Sequence, residues 1–264
     1  MKNLNPRTFP KFNLLGFWTL YYKEVKRFTN IITQTIFAPV ITSLLFLFIF
    51  KLSIGRANIT FGTLSFTQFL IPGLIIMSVL QNSFASTSSS LVSGKMMGSI
   101  VDLVMPPLSS FEILMAMMFS GITRGVLIGL ASGCAMYIFA DIKIYSIGYT
   151  ILFTLLGSSL MSIVGLLAGI WSEKWDNIAA VSTYVITPLS FLSGTFYSVD
   201  RLPPMLQDVA YVNPFFFIID GFRYGMTGYN DNDPVNGALA LTAIVIVLGY
   251  IANVLLKKGW RLRA

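Results

Sequence analysis

The chain has 264 residues, 55% of them hydrophobic and only 11% charged, with a mean hydropathy of +0.75 and a net charge of +7. A soluble domain carries about 25% charged residues, so this chain has too few charges to cover a water-facing surface. Histidine is absent and Cys134 is the single cysteine, which excludes an intrachain disulfide, a His/Cys zinc site and a Ser-His-Asp triad.

The first element covers about 14–30. It mixes Leu14, Leu15, Phe17, Trp18, Leu20, Tyr21, Val25 and Phe28 with Lys23, Glu24, Lys26 and Arg27. It is too charged to cross a membrane and reads as a basic amphipathic helix in the interface, either an anchor or a lever contacting a partner. About 30 fairly polar residues precede the first apolar stretch, longer than the basic head of a cleavable leader. The expectation is an uncleaved signal anchor.

Six stretches are long and apolar enough to cross about 30 Å of hydrocarbon: 31–52, 67–91, 112–139, 146–171, 178–197 and 236–256. Backbone groups in lipid must pair within their own segment, so these are helices. The alternation of a β-barrel is absent. The second stretch ends in Ser83, Ser86, Thr87, Ser88, Ser89, Ser90 and Ser93, hydroxyls that back-bond to their own helix or line a wet vestibule.

The connection at 92–110 contains Lys95, Ile100, Asp102, Leu103, Val104 and Met105, then Pro106-Pro107. Ile100, Leu103 and Val104 fall at helical spacing, and the prolines end the helix. Its apolar face needs a cover, either lipid or a groove on a partner protein.

In the third stretch, Gly121, Gly125, Gly129 and Gly133 form a stripe where another helix approaches closely; Gly165 and Gly169 repeat this in the fourth. The stripe is either ordinary packing or a surface that repacks during a cycle. Arg124 lies at mid-membrane depth, a position costing about 2.5–3.5 kcal/mol for a charge. No intramembrane acid is placed to pair with it. Gln81 or Asn82, at similar depth, is the expected partner, either as a structural tie or beside a path for an anionic group.

Pro188 should kink the fifth stretch. The segment 198–235 then reads as two short helices resting on or dipping into the outer leaflet. The second starts at Asn213-Pro214, a cap followed by proline at the first helical position. Phe191, Phe196, Tyr197 and Phe215–Phe217 make an aromatic belt or a gate at the outer mouth. Tyr229–Pro234 reads as a turn, because its acids lack the glycine and terminal glutamate of a calcium loop.

Charge placement orients the chain. Twelve cations fall on one side: Lys2, Arg7, Lys11, Lys23, Lys26, Arg27, Lys95, Lys174, Lys257, Lys258, Arg261 and Arg263. Five fall on the other: Lys51, Arg56, Lys143, Arg201 and Arg223, beside Asp141, Asp200, Asp208, Asp220, Asp231 and Asp233. Both termini are therefore expected in the cytoplasm. The positive charge reads as topology and contact with anionic lipid, not nucleic-acid binding.

No G-x-x-x-x-G-K-[ST] loop occurs, so the chain hydrolyses no nucleotide by that route. No intramembrane Asp, Glu or His supports proton coupling, and no carboxylate pair or nucleophile–base set supports an enzyme. The pattern suggests a permease driven by another subunit. An ATP-independent carrier or channel, or a non-transporting membrane scaffold, remains the alternative.

Several ordered stretches resemble the ABC-2 type transporter permease family, particularly its short inner-membrane members of the YadH and nodulation-factor-exporter types. They are Tyr22–Phe28, Phe69–Ile75 with Pro72-Gly73, Thr187-Pro188-Leu189, Ser193–Ser198, Leu202-Pro203-Pro204, and Asn213-Pro214 through Gly221–Gly225. The resemblance implies an all-α membrane fold of the type V exporter kind. It has six transmembrane helices, an interface helix within 1–30 with Glu24, Lys26 and Arg27, and a re-entrant outer pair within 31–264. It implies a coupling helix within 95–105, with Lys95, Ile100, Asp102, Leu103, Met105 and Pro106 toward an ATPase groove. Asp102-Leu103 stands where relatives often carry Glu-Leu-Leu.

Gln81, Asn82 and Arg124 then belong to the translocation path or a core tie, and Phe191, Phe196, Tyr197, Phe215 and Arg223 to an outer gate. The implied assembly is a homodimer with two ATPase subunits in the bacterial inner membrane. ATP is bound by the partner, and this chain needs no cofactor or metal. The aromatic, nearly uncharged bundle suits an amphipathic cargo, whether lipid-linked, glycan or drug-like.

Overall fold

A computed structural model describes residues 12–54, 60–61, 64–139 and 144–261, apart from the side chains of Ile54 and Arg201. The charges read at Lys2, Arg7, Lys11, Arg56, Asp141, Lys143 and Arg263 lie outside the described residues, as does the side chain of Arg201.

In chain order, α1 is Leu14–Thr29, followed by a π-helical turn, Thr33–Phe37, that runs into α2, Ala38–Ile54. The strands β1, Thr60–Phe61, and β2, Leu64–Ser65, pair antiparallel. Then come α3, Phe66–Met96, the single turn α4, Val101–Val104, α5, Ser110–Tyr137, and α6, Ile147–Trp171. A broken helix follows: α7, Trp175–Val181, a π turn, Ser182–Ile186, and α8, Thr187–Leu192. Beyond it are α9, Pro204–Val212, α10, Pro214–Thr227, and α11, Pro234–Lys258.

Five helices are long and apolar enough to cross a membrane: Thr33–Ser53, Phe66–Met96, Ser110–Tyr137, Ile147–Trp171 and Pro234–Lys258. The fifth predicted stretch, 178–197, is not among them. Pro188 has no N–H to continue the ladder, and the hydrogen bonds shift just before it. The backbone N–H of Thr187 and its hydroxyl, at 2.9 Å, both reach the Ser182 carbonyl five residues back.

The second predicted stretch proves longer than expected. It continues through Met96, because Ser88–Ser93 remain helical and the Ser88 hydroxyl bonds the Phe84 carbonyl at 2.8 Å.

α3 is the hub. Of the residues in its most apolar window, 83% are buried, against 17% for α2 and for α11. α5 and α6 flank it closely because they present glycine. A Cβ at Gly165 would lie 2.4 Å from the Phe84 carbonyl oxygen, and one at Gly125 would lie 2.3 Å from Ser83 Oγ. Such contact forbids a side chain and lets hydroxyls bridge the helices. Thr87 donates to the Ser162 carbonyl at 2.8 Å and Ser83 to the Gly121 carbonyl at 3.2 Å. The predicted stripe is thus packed against α3 over Gly121, Gly125 and Gly129, whereas Gly133 is nearly free.

The ends of the bundle are capped. Ser65 and Gln68 form a capping box at α3, and Ser109 and Glu112 form another at α5. Gly228 and Gly259, in left-handed conformation, close α10 and α11.

Candidate functional site

A cavity of about 810 Å³ lies between the α1–α2 arm, α3 and α5. Its wall carries Arg27, Gln34, Thr42, Ser43, Gln81, Asn82, Ser89, Ser93 and Arg124, with Ile31, Pro39, Phe46, Leu74 and Met77 as apolar surface. The predicted trio meets here. Arg124, at the midpoint of α5, donates from Nη2 to Asn82 Oδ1 at 3.1 Å, while Gln81 lies on the wall. Asn82 is held in turn by donating to the Ser78 carbonyl at 3.0 Å.

The interface helix docks against this bundle and does not simply float in lipid. Leu20, Glu24 and Phe28 are buried, while Leu14, Leu15, Trp18 and Tyr22 face outward. Glu24 accepts from Arg27 Nε at 3.1 Å. Arg27 also donates to Ser89 Oγ at 3.1 Å and to the Ser86 carbonyl at 2.6 Å, both on α3. Lys26 is exposed. Tyr21 meets Thr123 on α5 at 2.8 Å.

Sequence reasoning missed the strongest tie of α1. Glu112, 1% exposed, accepts from the backbone N–H of Asn13 and from that of Ser109 at 2.6 Å. The Ser-x-x-Glu spacing of 109–112 is a capping-box signal that reveals half of this role.

The predicted coupling segment divides in two. Ile100 and Leu103 are buried in a cluster with Leu20, Leu91, Ile113 and Leu256. Lys95 turns inward as well, its Nζ donating to the carbonyls of Gly169 at 2.9 Å, Ile170 at 2.5 Å and Ser172 at 3.0 Å. These three side chains pack on the chain itself, whereas the resemblance implied that they point toward an ATPase groove. The reason is that the bundle itself covers that face, and the open carbonyls at the end of α6 attract the ammonium. Asp102, Met105 and Pro106 are exposed, together with Met96, Met97, Val101 and Val104.

At the opposite end the predicted gate residues also divide. Phe196 stacks on Phe191 at 5.2 Å and on Phe50 at 4.9 Å, and Phe191 and Tyr197 retain exposure. Phe215 and Arg223 are buried, at 4% and 1% exposure. Arg223 donates to the Gly194 carbonyl at 2.5 Å and lies 3.8 Å over the Phe69 ring.

Asn213 caps α10 and donates to the Leu189 carbonyl and to Ser193 Oγ. The Thr195 carbonyl packs where a Cβ on Gly73 would sit, 2.6 Å away. Asp220 accepts from the N–H groups of Asp231 and Asn232 at 2.8 and 2.9 Å, fixing the predicted turn. Burial pushes its carboxyl up to about 6, outweighing those N–H donors and Arg223. Segments far apart in sequence, Phe69–Ile75, Ser193–Ser198 and Asn213–Gly225, thus converge on one corner.

No cluster of three or more His, Cys, Asp or Glu able to hold a metal occurs among the described residues.

The model of the ABC-2 type transporter family matches residues 16–227. The chain is 34% identical over 246 residues to the inner membrane transport permease YadH of Escherichia coli K12, covering 93% of this chain and 96% of that protein. It is 25% identical over 199 residues to nodulation protein J of Rhizobium leguminosarum bv. trifolii, covering 75% of this chain and 76% of that protein. A third relative, nodulation protein J of Neorhizobium galegae, is 29% identical over 134 residues, about half of each chain.

Proposed function

The chain belongs to the ABC-2 type transporter family, and from that premise we propose that it is the permease subunit of an ATP-driven exporter in the bacterial inner membrane. A separate ATPase supplies the energy. Two copies of this chain assemble with it, and an amphipathic cargo leaves the cytoplasm. Both termini and α4 lie on the cytoplasmic side.

The observation that carries this reading is α4. Ile100 and Leu103 clamp it to the bundle, while Val101, Val104, Met105, Met96 and Met97 stand 49–80% exposed around Asp102. A small apolar knob with one acid, fixed from behind, fits the helix-in-groove mode of docking. Because Leu103 bears on the same cluster as Leu91 and Ile113, force on the knob reaches α3 and α5.

Six crossings form part of the reading. Trp175 shares the cavity wall with Met97 at one end of the bundle, and Thr195 touches Gly73 toward the other. The helical stretch between Trp175 and Leu192 has room to rise about 27 Å. The re-entrant pair is supported by the packing of α10 on α6. Ile218 fills the space beside Gly157, and Gly225 lies against Thr150, so α10 follows α6 from about 15 Å inside the bundle to its rim. The sparse burial of α2 and α11 leaves apolar faces for lipid and for a second copy.

Coexpression with the cognate ATPase tests the assignment. Asp102→Arg and Met105→Asp are expected to leave insertion and thermal stability unchanged and to reduce ATPase association about tenfold or more, an effect typical of losing an interface anchor. Undiminished association and export in both would refute the coupling role. Leu103→Asp places a carboxylate in the core and measures folding instead. Transport by the purified chain alone in liposomes would favour an ATP-independent carrier.

A further inference from the structure

The cavity holds a cation without a counterion. Arg124 makes one side-chain hydrogen bond, to neutral Asn82, and its Nε is buried with no hydrogen-bond partner. Among the described residues the single ion pair is Arg27–Glu24, so no carboxylate there offsets Arg124. The second cation of the cavity, Arg27, is already occupied by Glu24, Ser86 and Ser89. An uncompensated guanidinium in a low-dielectric site favours an incoming anion.

The rest of the wall describes the remainder of the ligand. Gln81, Ser89 and Ser93 line the half toward Met97 and Trp175, whereas Phe46, Leu74 and Met77 line the other half beside Ser43 and Ser78, whose hydroxyls bond each other at 2.6 Å. At about 810 Å³ the space far exceeds a bare oxyanion and matches the size of pockets for drug-sized ligands. We infer that this cavity receives the phosphate-bearing headgroup of an amphiphile, with Arg124 as its charge partner and the apolar wall for its chain. Asn82 holds the guanidinium in place. The inference rests on the permease reading and specifies the cargo class of the same site.

Phe46, on the apolar wall, gives the place for a probe. The full chain carrying Phe46→Trp with Trp18→Phe, Trp171→Phe, Trp175→Phe and Trp260→Phe is placed in phosphatidylcholine nanodiscs, and quenching of the tryptophan introduced by Phe46→Trp is titrated with bromododecyl phosphate and with neutral bromododecyl maltoside. The phosphate amphiphile is expected to bind about tenfold or more tightly, the scale of one charge-assisted hydrogen bond. Arg124→Gln should erase that preference and Arg124→Lys should keep most of it. Equal affinities in the unaltered Arg124 background overturn the inference even if Arg124→Gln fails to fold. A preference that survives Arg124→Gln overturns it too.

Inorganic phosphate as competitor separates the two sources of the anion. Failure to displace the quencher supports an amphiphile, and displacement at comparable concentration overturns that part. The assay contains no ATPase, so its outcome is independent of the coupling measurements.

Discussion

Replacing Glu112 by glutamine tests how firmly the interface helix is held. The carboxylate is 1% exposed and receives the N–H groups of Asn13 and Ser109 on its two oxygens. Glutamine retains one acceptor and turns an NH2 toward the other donor. A charge-assisted hydrogen bond is worth about 1.5–3 kcal/mol, and an unsatisfied buried donor costs about 1–3 kcal/mol. Glu112 lies at the end of α5, at the rim of the bundle, where water screens part of the charge, so about 1–3 kcal/mol is expected overall. Amide hydrogen exchange of the solubilised protein reads this locally. Exchange should quicken over Leu14–Phe17, nearest the lost bond, and stay slow near Phe28, where Arg27 still binds Ser86 and Ser89. Unchanged exchange in the first turn, or equal acceleration along all of α1, would refute the reasoning.

Two further outcomes follow from packing and burial. Gly165→Ala forces a methyl to within 2.4 Å of the Phe84 carbonyl and should destabilise the chain by about 1–3 kcal/mol in thermal unfolding. Gly133→Ala meets only Ile75, at 3.9 Å, and should be close to neutral; equal effects would contradict the packing. Asp220 has its folded pKa raised from 3.8 to about 6, so the neutral form is the one the fold favours. Its contribution is therefore present below pH 3.8 and lost as pH rises through 6, about 3 kcal/mol in all. Relative to Asp220→Asn, the melting temperature should fall across that window, and parallel curves would rule this out.

The long helices were legible because apolar length is one strong signal. The predicted 146–171 and 236–256 stretches differ from Ile147–Trp171 and Pro234–Lys258 by two residues or fewer at each end. Pro188 announced a break but not its form, since the π turn depends on the Ser182 carbonyl taking its donors from Thr187, five residues on. Depth along two helices was enough to bring Arg124 to Asn82.

Facing direction was not legible. The spacing of Ile100 and Leu103 says that a face is apolar and says nothing about what covers it, and here Leu20 and Leu256 do. The expectation that Lys95 points toward an ATPase groove could not foresee the open carbonyls of α6, which lie 74–77 residues away in sequence.

That carbonyl end has a consequence for biosynthesis. Gly169, Ile170 and Ser172 are bound by Lys95, which is synthesised before them, but the Trp171 carbonyl accepts from Arg261, 90 residues later, at 2.9 Å. As the chain leaves the ribosome, three of these acceptors have their partner waiting, and the fourth stays open while everything through α11 is inserted. Closing this end is therefore a late event in assembly, set by the order of synthesis.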